Sequence, residues 1–443
     1  MNFYQKYKEK LTTPEEAVKV VKSGDWLDYG ANLGFPELLD AALAKRKDEL
    51  YDVKVRSLLL NGPIQIAEQD PEREHFTYNS WHMTGYERKL CDRGLCNFIP
   101  MVFRNLCRYY RRYLTVNVAM MAVSPMNEHG YFCFSINNAC ARAVMDVADV
   151  IILEVNENIP WVNGLDEVIH IDEVDMVVEG PHGPLMEFPS VPPTEIDEKI
   201  ASMVVDEISY GSCIQLGVGA MPNAIGKKIA ESDLRDLSVH TELLVNAFYE
   251  MYKAGKITND KRNMLRGKTT FGLGYGTQEV YDWVRENPST LVCSMEFIND
   301  PNVIASMDDF VSINNCISVD LFGQICAESA GTRHISGTGG QLDFLTGAFM
   351  NDTGKSIICL SSTFTDKKGN MHSRFLPTLN GDIVTDPRSQ SFLLATEYGM
   401  KNLAGLTTWE RAEALVDLAH PDFRDELIAE AEKLKIWRRT NKR

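Results

Sequence analysis

Glu242 is the residue in this chain whose position most suggests chemistry. It closes the run Asp236–Leu237–Ser238–Val239–His240–Thr241–Glu242, which sets a carboxylate at the exit of an apolar β-pattern. A free glutamate, with its pKa near ~4.3, is an ionised carboxylate at neutral pH. Taken alone, a glutamate at a strand end is most often a solvated surface charge. Upstream lies the turn Gly217–Val218–Gly219–Ala220–Met221–Pro222–Asn223, between an apolar strand and a helical pattern beginning at Ala224. Backbone N–H groups at such a turn can hold phosphate or pyrophosphate. As a dinucleotide fingerprint the turn fails, because Pro222 stands where the third glycine belongs. Two further glycine clusters, around Gly272, Gly274 and Gly276 and around Gly337, Gly339 and Gly340, let backbone approach a ligand. Their unobstructed N–H groups suit an oxyanion hole, with Gly274 and Gly339 as loop candidates.

An internal duplication singles Glu242 out. The segment from Lys22 to Gly30, then Pro36, then Asp52 to Leu58, lines up with Ser209 to Gly217, then Pro222, then Asp236 to Glu242. Where the first copy ends in Leu58, the second ends in Glu242. A repeated unit whose halves differ by one charge at a strand end suggests that one half has taken up chemistry.

These segments need a scaffold, and the sequence describes one. Strand-length apolar runs around residues 116–123, 150–155, 213–216 and 356–360 alternate with helical patterns at 14–22, 38–46, 195–208 and from 408 onward. That alternation predicts an α/β protein with largely parallel sheets covered on both faces. Prolines at 181, 184, 189, 192 and 193 preclude regular structure, and Thr194–Glu195–Ile196–Asp197 reads as a helix start. The expected organisation is therefore an α/β domain over 1–180, a linker over 181–194 and a related domain over 195–443 carrying Glu242. After Pro421, the residues Phe423, Leu427, Ile428, Ala431 and Leu434 form one apolar stripe, core or interface.

Composition narrows the classes of function. The chain has 443 residues, 44% hydrophobic and 24% charged, with no apolar run near membrane-spanning length. The charged start lacks the apolar segment of a secretory signal, so a cytoplasmic, non-membrane protein is expected. A net charge of −17 argues against nucleic acid as a partner. Ten cysteines form no framework, and nine histidines show no ligand spacing, so no metal is expected. A Gly-x-Ser-x-Gly elbow and a Walker A loop are both missing.

Together, the segments 217–223, His240–Thr241–Glu242–Leu243, 272–276, Ser312–Ile313–Asn314–Asn315 and 337–344 resemble the acetyl-CoA hydrolase/transferase group of family I CoA-transferases. The resemblance spans essentially the whole chain. Phrases such as Asn79–Ser80–Trp81–His82–Met83, Ala419–His420–Pro421–Asp422–Phe423 and Ile436–Trp437–Arg438–Arg439 are similar to its butyryl-CoA branch. The resemblance implies two tandem related α/β domains and coenzyme A as substrate and covalent intermediate. It implies Glu242 as the residue that becomes a glutamyl-CoA thioester. Gly217, Gly219, Ala220, Met221, Pro222 and Asn223 would hold CoA, with Ile317, Gly340 and Lys367 as further contacts. The partners expected from it are a short-chain acyl-CoA, butyryl-CoA foremost, and a free acid such as acetate, with 4-hydroxybutyrate, propionate and lactate as alternatives. A homo-oligomer is also expected from the family.

Overall fold

The same backbone turn is built twice, by residue types that tolerate a left-handed conformation. Gly24 and Gly211 have φ of +89° and +81°, and Asp52 and Asp236 have φ of +56° and +55°. Aspartate visits this region more readily than most residues because its short polar side chain can bond locally. In each copy the turn closes in the same way. Gly24 N–H donates to Tyr51 O at 3.0 Å and Gly211 N–H to Arg235 O at 3.3 Å, while Lys54 N–H reaches Asp25 O and Ser238 N–H reaches Ser212 O, both at 2.9 Å. Those bonds start two parallel strand pairs in matching register, Trp26 opposite Lys54 and Cys213 opposite Ser238. Leu58 and Glu242 thus hold equivalent places in the duplicated unit.

A computed structural model describes residues 2–438, so Arg439 lies outside the described residues. The chain forms two compact units. One comprises Met1–Phe188, Thr270–Ile298 and His334–Gly339; the other comprises Pro189–Thr269, Asn299–Arg333 and Gly340–Arg443. Two later excursions of the chain therefore belong to the first unit, and 180–194 forms neither helix nor strand.

In the first unit the strands run in the order Met176–Glu179, Ala148–Val155, Val116–Val123, Trp26–Ala31, Val53–Leu58, Phe76–Ser80, all parallel. Leu27, Val55, Val118 and Ile152 from these strands pack with Leu39 and Leu43 of the helix Glu37–Ala44 in one apolar core. In the second unit Ser238–Val245, Cys213–Leu216, Phe310–Asn315, Lys355–Cys359 and Leu393–Thr396 are parallel neighbours, and Gly399–Asn402 adds an antiparallel strand. Near-continuous apolar strands need cover on both faces, which the helices supply.

Several element bounds differ from expectation for local reasons. The pattern at 14–22 is a short α-helix, Pro14–Ala17, followed by a 3₁₀ turn, Val18–Val20. Crowding of β-branched side chains there disfavours a longer helix. The helix expected over 195–208 spans Glu195–Val205, opened by a capping box between Thr194 and Asp197. The stripe after Pro421 is core: Leu427 and Ala431 are buried in the second unit, with Phe423, Ile428 and Leu434 packed against them. No disulfide joins any of the ten cysteines. Among the described residues no helix is long and apolar enough to cross a membrane, and no group of His, Cys, Asp and Glu is arranged to hold a metal ion.

Candidate functional site

Glu242 stands inside a strand, not at its exit, because Ser238–Val245 continues for three residues beyond it. Pairing with Cys213–Leu216 ends at Val239, opposite Ile214. In the first unit the equivalent ladder reaches Leu58, opposite Ala31. On its other side the strand Cys213–Leu216 pairs with Phe310–Asn315 through Leu216, opposite Ile313, and the Gly217 N–H donates to Ile313 O at 2.9 Å. Glu242 lies beyond the stretch paired with Cys213–Leu216.

Among the described residues, Asn299, Gly340 and Asp343 act on its carboxyl group. Asn299 Nδ2 donates to Glu242 Oε2 at 2.7 Å, and the Gly340 N–H donates to the same carboxyl. Asp343, fully buried, lies close enough for its charge to act on Glu242 and for its Oδ2 to accept from Asn299 Nδ2 at 3.3 Å. Gly340 cannot be replaced freely, since a Cβ there would overlap Glu242 Oε2 and Asn299 Nδ2. Burial pushes the Glu242 pKa up from 4.5 to about 8; the Asn299 and Gly340 hydrogen bonds oppose the rise, and the Asp343 charge adds to it. The expectation of a carboxylate already ionised at neutral pH is thereby corrected. Desolvation of the charged form outweighs two good donors.

The turn expected to hold CoA is partly helix. Gly219, with φ +120°, is the N-cap of the helix Ala220–Glu231, so Ala220, Met221, Pro222 and Asn223 form its first turn. The helix begins four residues before the expected Ala224. Proline is tolerated there because first-turn N–H groups have no intrahelical acceptor. Gly219 supplies no side-chain cap, which leaves the Ala220 and Met221 N–H groups facing the end of the helix. Beside the turn, Gln215 and Asn314 exchange two amide hydrogen bonds of 3.0 Å.

The remaining expected contacts are dispersed. Ile317 is half-buried, its N–H donating to Cys326 O at 2.8 Å and its carbonyl accepting from Arg374 Nη1 at 2.9 Å. Lys367 is exposed in the turn between Thr363–Thr365 and Met371–Ser373, where Asp366 Oδ1 accepts from the N–H groups of Lys368 and Asn370. Gly274 and Gly339 belong to the first unit. There the Gly274 carbonyl accepts from Asn32 Nδ2 at 2.7 Å, and the Gly339 carbonyl from Phe103 N–H at 3.2 Å. Of the expected glycines, Gly340 is the one that donates to Glu242.

Comparison with known families matches residues 1–187 to the acetyl-CoA hydrolase/transferase N-terminal domain and residues 276–431 to the corresponding C-terminal domain. The chain belongs to the acetyl-CoA hydrolase/transferase family. This family member is 50% identical to the butyryl-CoA:acetate CoA-transferase of Anaerostipes caccae, covering 100% of both chains. It is 46% identical to a probable butyrate:acetyl-CoA coenzyme A-transferase of Syntrophomonas wolfei, over 99% of this chain and 98% of that one. Its structure is similar to that of RipA from Yersinia pestis, with a TM-score of 0.91 at 35% identity, covering 98% of this chain and 100% of the other. The two-domain, largely parallel α/β architecture is therefore that of the family.

Sequence reasoning missed Asn299 and did not assign Asp343 a role. Asn299 precedes Asp300–Pro301, a helix-start signal, and nothing in its neighbours marks it as functional. Asp343 lies within the glycine-rich segment 337–344 but reads there as an ordinary first-turn acid of the helix Gln341–Met350.

Proposed function

We propose that this protein moves CoA between a short-chain acyl-CoA, butyryl-CoA foremost, and a free carboxylic acid, acetate, through a glutamyl-CoA thioester on Glu242. The observation that carries the reading is the Glu242 carboxyl group held by Asn299 Nδ2 and the Gly340 N–H in surroundings that raise its pKa to about 8. Names of relatives at 50% and 46% identity support the choice of substrates.

A carboxylate is a weak nucleophile because it is a weak base. Raising its proton affinity makes it a better one, following Brønsted behaviour, while at pH 7 about one molecule in ten remains ionised. Glu242 attacks the acyl-CoA carbonyl carbon; the C–S bond breaks, giving an acyl-glutamyl anhydride and CoA thiolate. The thiolate then attacks the glutamyl carbonyl carbon, and the acyl group leaves as its carboxylate. CoA remains on Glu242 as a thioester, which acetate discharges by the same steps in reverse, with ping-pong kinetics.

In the second attack negative charge develops on the Glu242 oxygen. Asn299 Nδ2 and the Gly340 N–H, already directed at the carboxyl group, are the donors that stabilise it, and losing one such donor costs roughly 10²–10³ in rate. The turn at Gly217, Gly219, Ala220, Met221, Pro222 and Asn223 takes a phosphate of CoA at its helix N-terminus. Ile317 and Lys367 are further contacts in the same reading. Binding energy from the nucleotide end holds the thiolate beside the anhydride, where effective molarities of about 10⁵–10⁸ M are accessible.

The test is intact-protein mass after incubation with butyryl-CoA and no acceptor, followed by acetate and peptide mapping. An added CoA on Glu242 that acetate removes, with acetyl-CoA formed, is the expected result. Steady release of free CoA without an adduct identifies a hydrolase instead, and neither adduct nor turnover refutes the reading.

A further inference from the structure

Asn299 is shared between two acids. Its single Nδ2 donates to Glu242 Oε2 at 2.7 Å and to Asp343 Oδ2 at 3.3 Å, and its Oδ1 is buried with no hydrogen-bond partner among the described residues. An asparagine amide is nearly symmetrical in shape, so its orientation follows from its hydrogen-bond network. Glu242 alone cannot fix that orientation through the proposed cycle. It is successively a carboxylic acid, a carboxylate, an anhydride and a thioester, and the protonated acid could donate to Oδ1 as readily as accept from Nδ2. Asp343 does not change covalently in the reaction. A flipped amide would place Oδ1 against its carboxylate, a repulsive contact in a buried setting.

Asp343 is also well placed by the fold. It lies in the first turn of the helix Gln341–Met350, whose N-cap is Gly340. One helix start therefore supplies the Gly340 donor and anchors the Asn299 donor. Resting on the function proposed above, we propose that Asp343 is a positioning residue of the transfer reaction, holding the Asn299 amide with Nδ2 toward Glu242 through every covalent state. Among the described residues, the titratable groups coupled to it are Glu242 on the strand Ser238–Val245 and Asp386, on which the charges of Asp343 and Glu328 both act. Asp386 Oδ2 accepts from Gln341 Nε2 at 2.6 Å.

A first-turn aspartate also favours the helix dipole, and that role by itself affects stability without changing the rate. Asp343→Asn and Asp343→Glu in the full-length chain separate the two. Asp343→Asn is expected to slow glutamyl-CoA formation by ~10²-fold, as misplacement of a reacting constellation does. Its pH profile is expected to shift to lower pH, because the Asp343 charge is one of the causes that raise the Glu242 pKa. Combined with Asn299→Ala, it is expected to be no slower than the worse single variant, since it acts through Asn299. Asp343→Glu keeps the charge but moves it by a methylene, and it is expected to lose rate with the fold retained by circular dichroism; it decides the matter should Asp343→Asn not fold. A wild-type rate in either folded variant, or losses that multiply in the double variant, overturns the proposal. If the wild-type protein forms no adduct, the proposed function fails separately. Asp343 is then judged by the ¹H–¹⁵N side-chain amide resonances of Asn299: a pair that moves or broadens in Asp343→Asn upholds its hold on that amide, and an unchanged pair overturns it.

Discussion

Replacing Glu242 by Gln keeps the side chain's shape and an oxygen for the Asn299 donor but removes the titrating group. Folding raises the Glu242 pKa from 4.5 to about 8, so between those values the folded protein holds a proton that the unfolded chain has released. For an acid shifted upward, stability is greatest below about pH 4.5 and declines as pH rises toward 8, by about 1.4 kcal/mol per pH unit at most. The residue is half-buried, and residual solvent access reduces the effect to about 2–3 kcal/mol across pH 5 to 8. Gln is neutral throughout that range. Glu242→Gln should therefore match the wild type near pH 5 and exceed it by about 2–3 kcal/mol at pH 8, a rise of roughly 5 °C or more in the melting temperature of the second unit. Scanning calorimetry of both proteins at pH 5, 6, 7 and 8 measures this directly. A difference in melting temperature that stays constant with pH refutes the argument, because it removes burial as the cause of the raised pKa.

Three further outcomes follow from the same geometry. Glutamyl-CoA formation from butyryl-CoA should accelerate from pH 6 through about 8 as Glu242 ionises, and a flat rapid-quench profile over that range contradicts it. Gly340→Ala places a methyl group on Glu242 Oε2 and Asn299 Nδ2, so adduct formation should fall by ~10²-fold or more with the overall circular dichroism preserved; wild-type adduct levels by mass spectrometry would count against the assignment. Asn299→Ala removes a donor and Glu242→Asp withdraws the carboxylate by one methylene; the first should cost roughly 10²–10³ in turnover and the second most of it, and near-normal steady-state rates in either refute the roles of donor and nucleophile.

The amino-acid sequence by itself determined the architecture and singled out Glu242 as the residue to propose for chemistry. Apolar runs alternating with helical patterns specify parallel α/β sheets, since strands covered on both faces must be apolar throughout. The duplication was legible because Gly24, Gly211, Asp52 and Asp236, residue types that tolerate a positive φ, recur in matching register in the two copies. That register placed Glu242 opposite Leu58 in the comparison of the two copies. Element bounds were less legible: the helical pattern reads as beginning at Ala224, yet the helix starts at Ala220 with Pro222 in its first turn, where a missing N–H has no cost. Only the tertiary structure decided which groups meet the Glu242 carboxyl. Asn299 is 57 residues away from it along the chain, and Asp343 is a further 44 beyond Asn299. Tertiary structure also decided the protonation state, because a glutamate's pKa depends on how completely distant segments exclude water from it, and no local pattern of residue types records that exclusion.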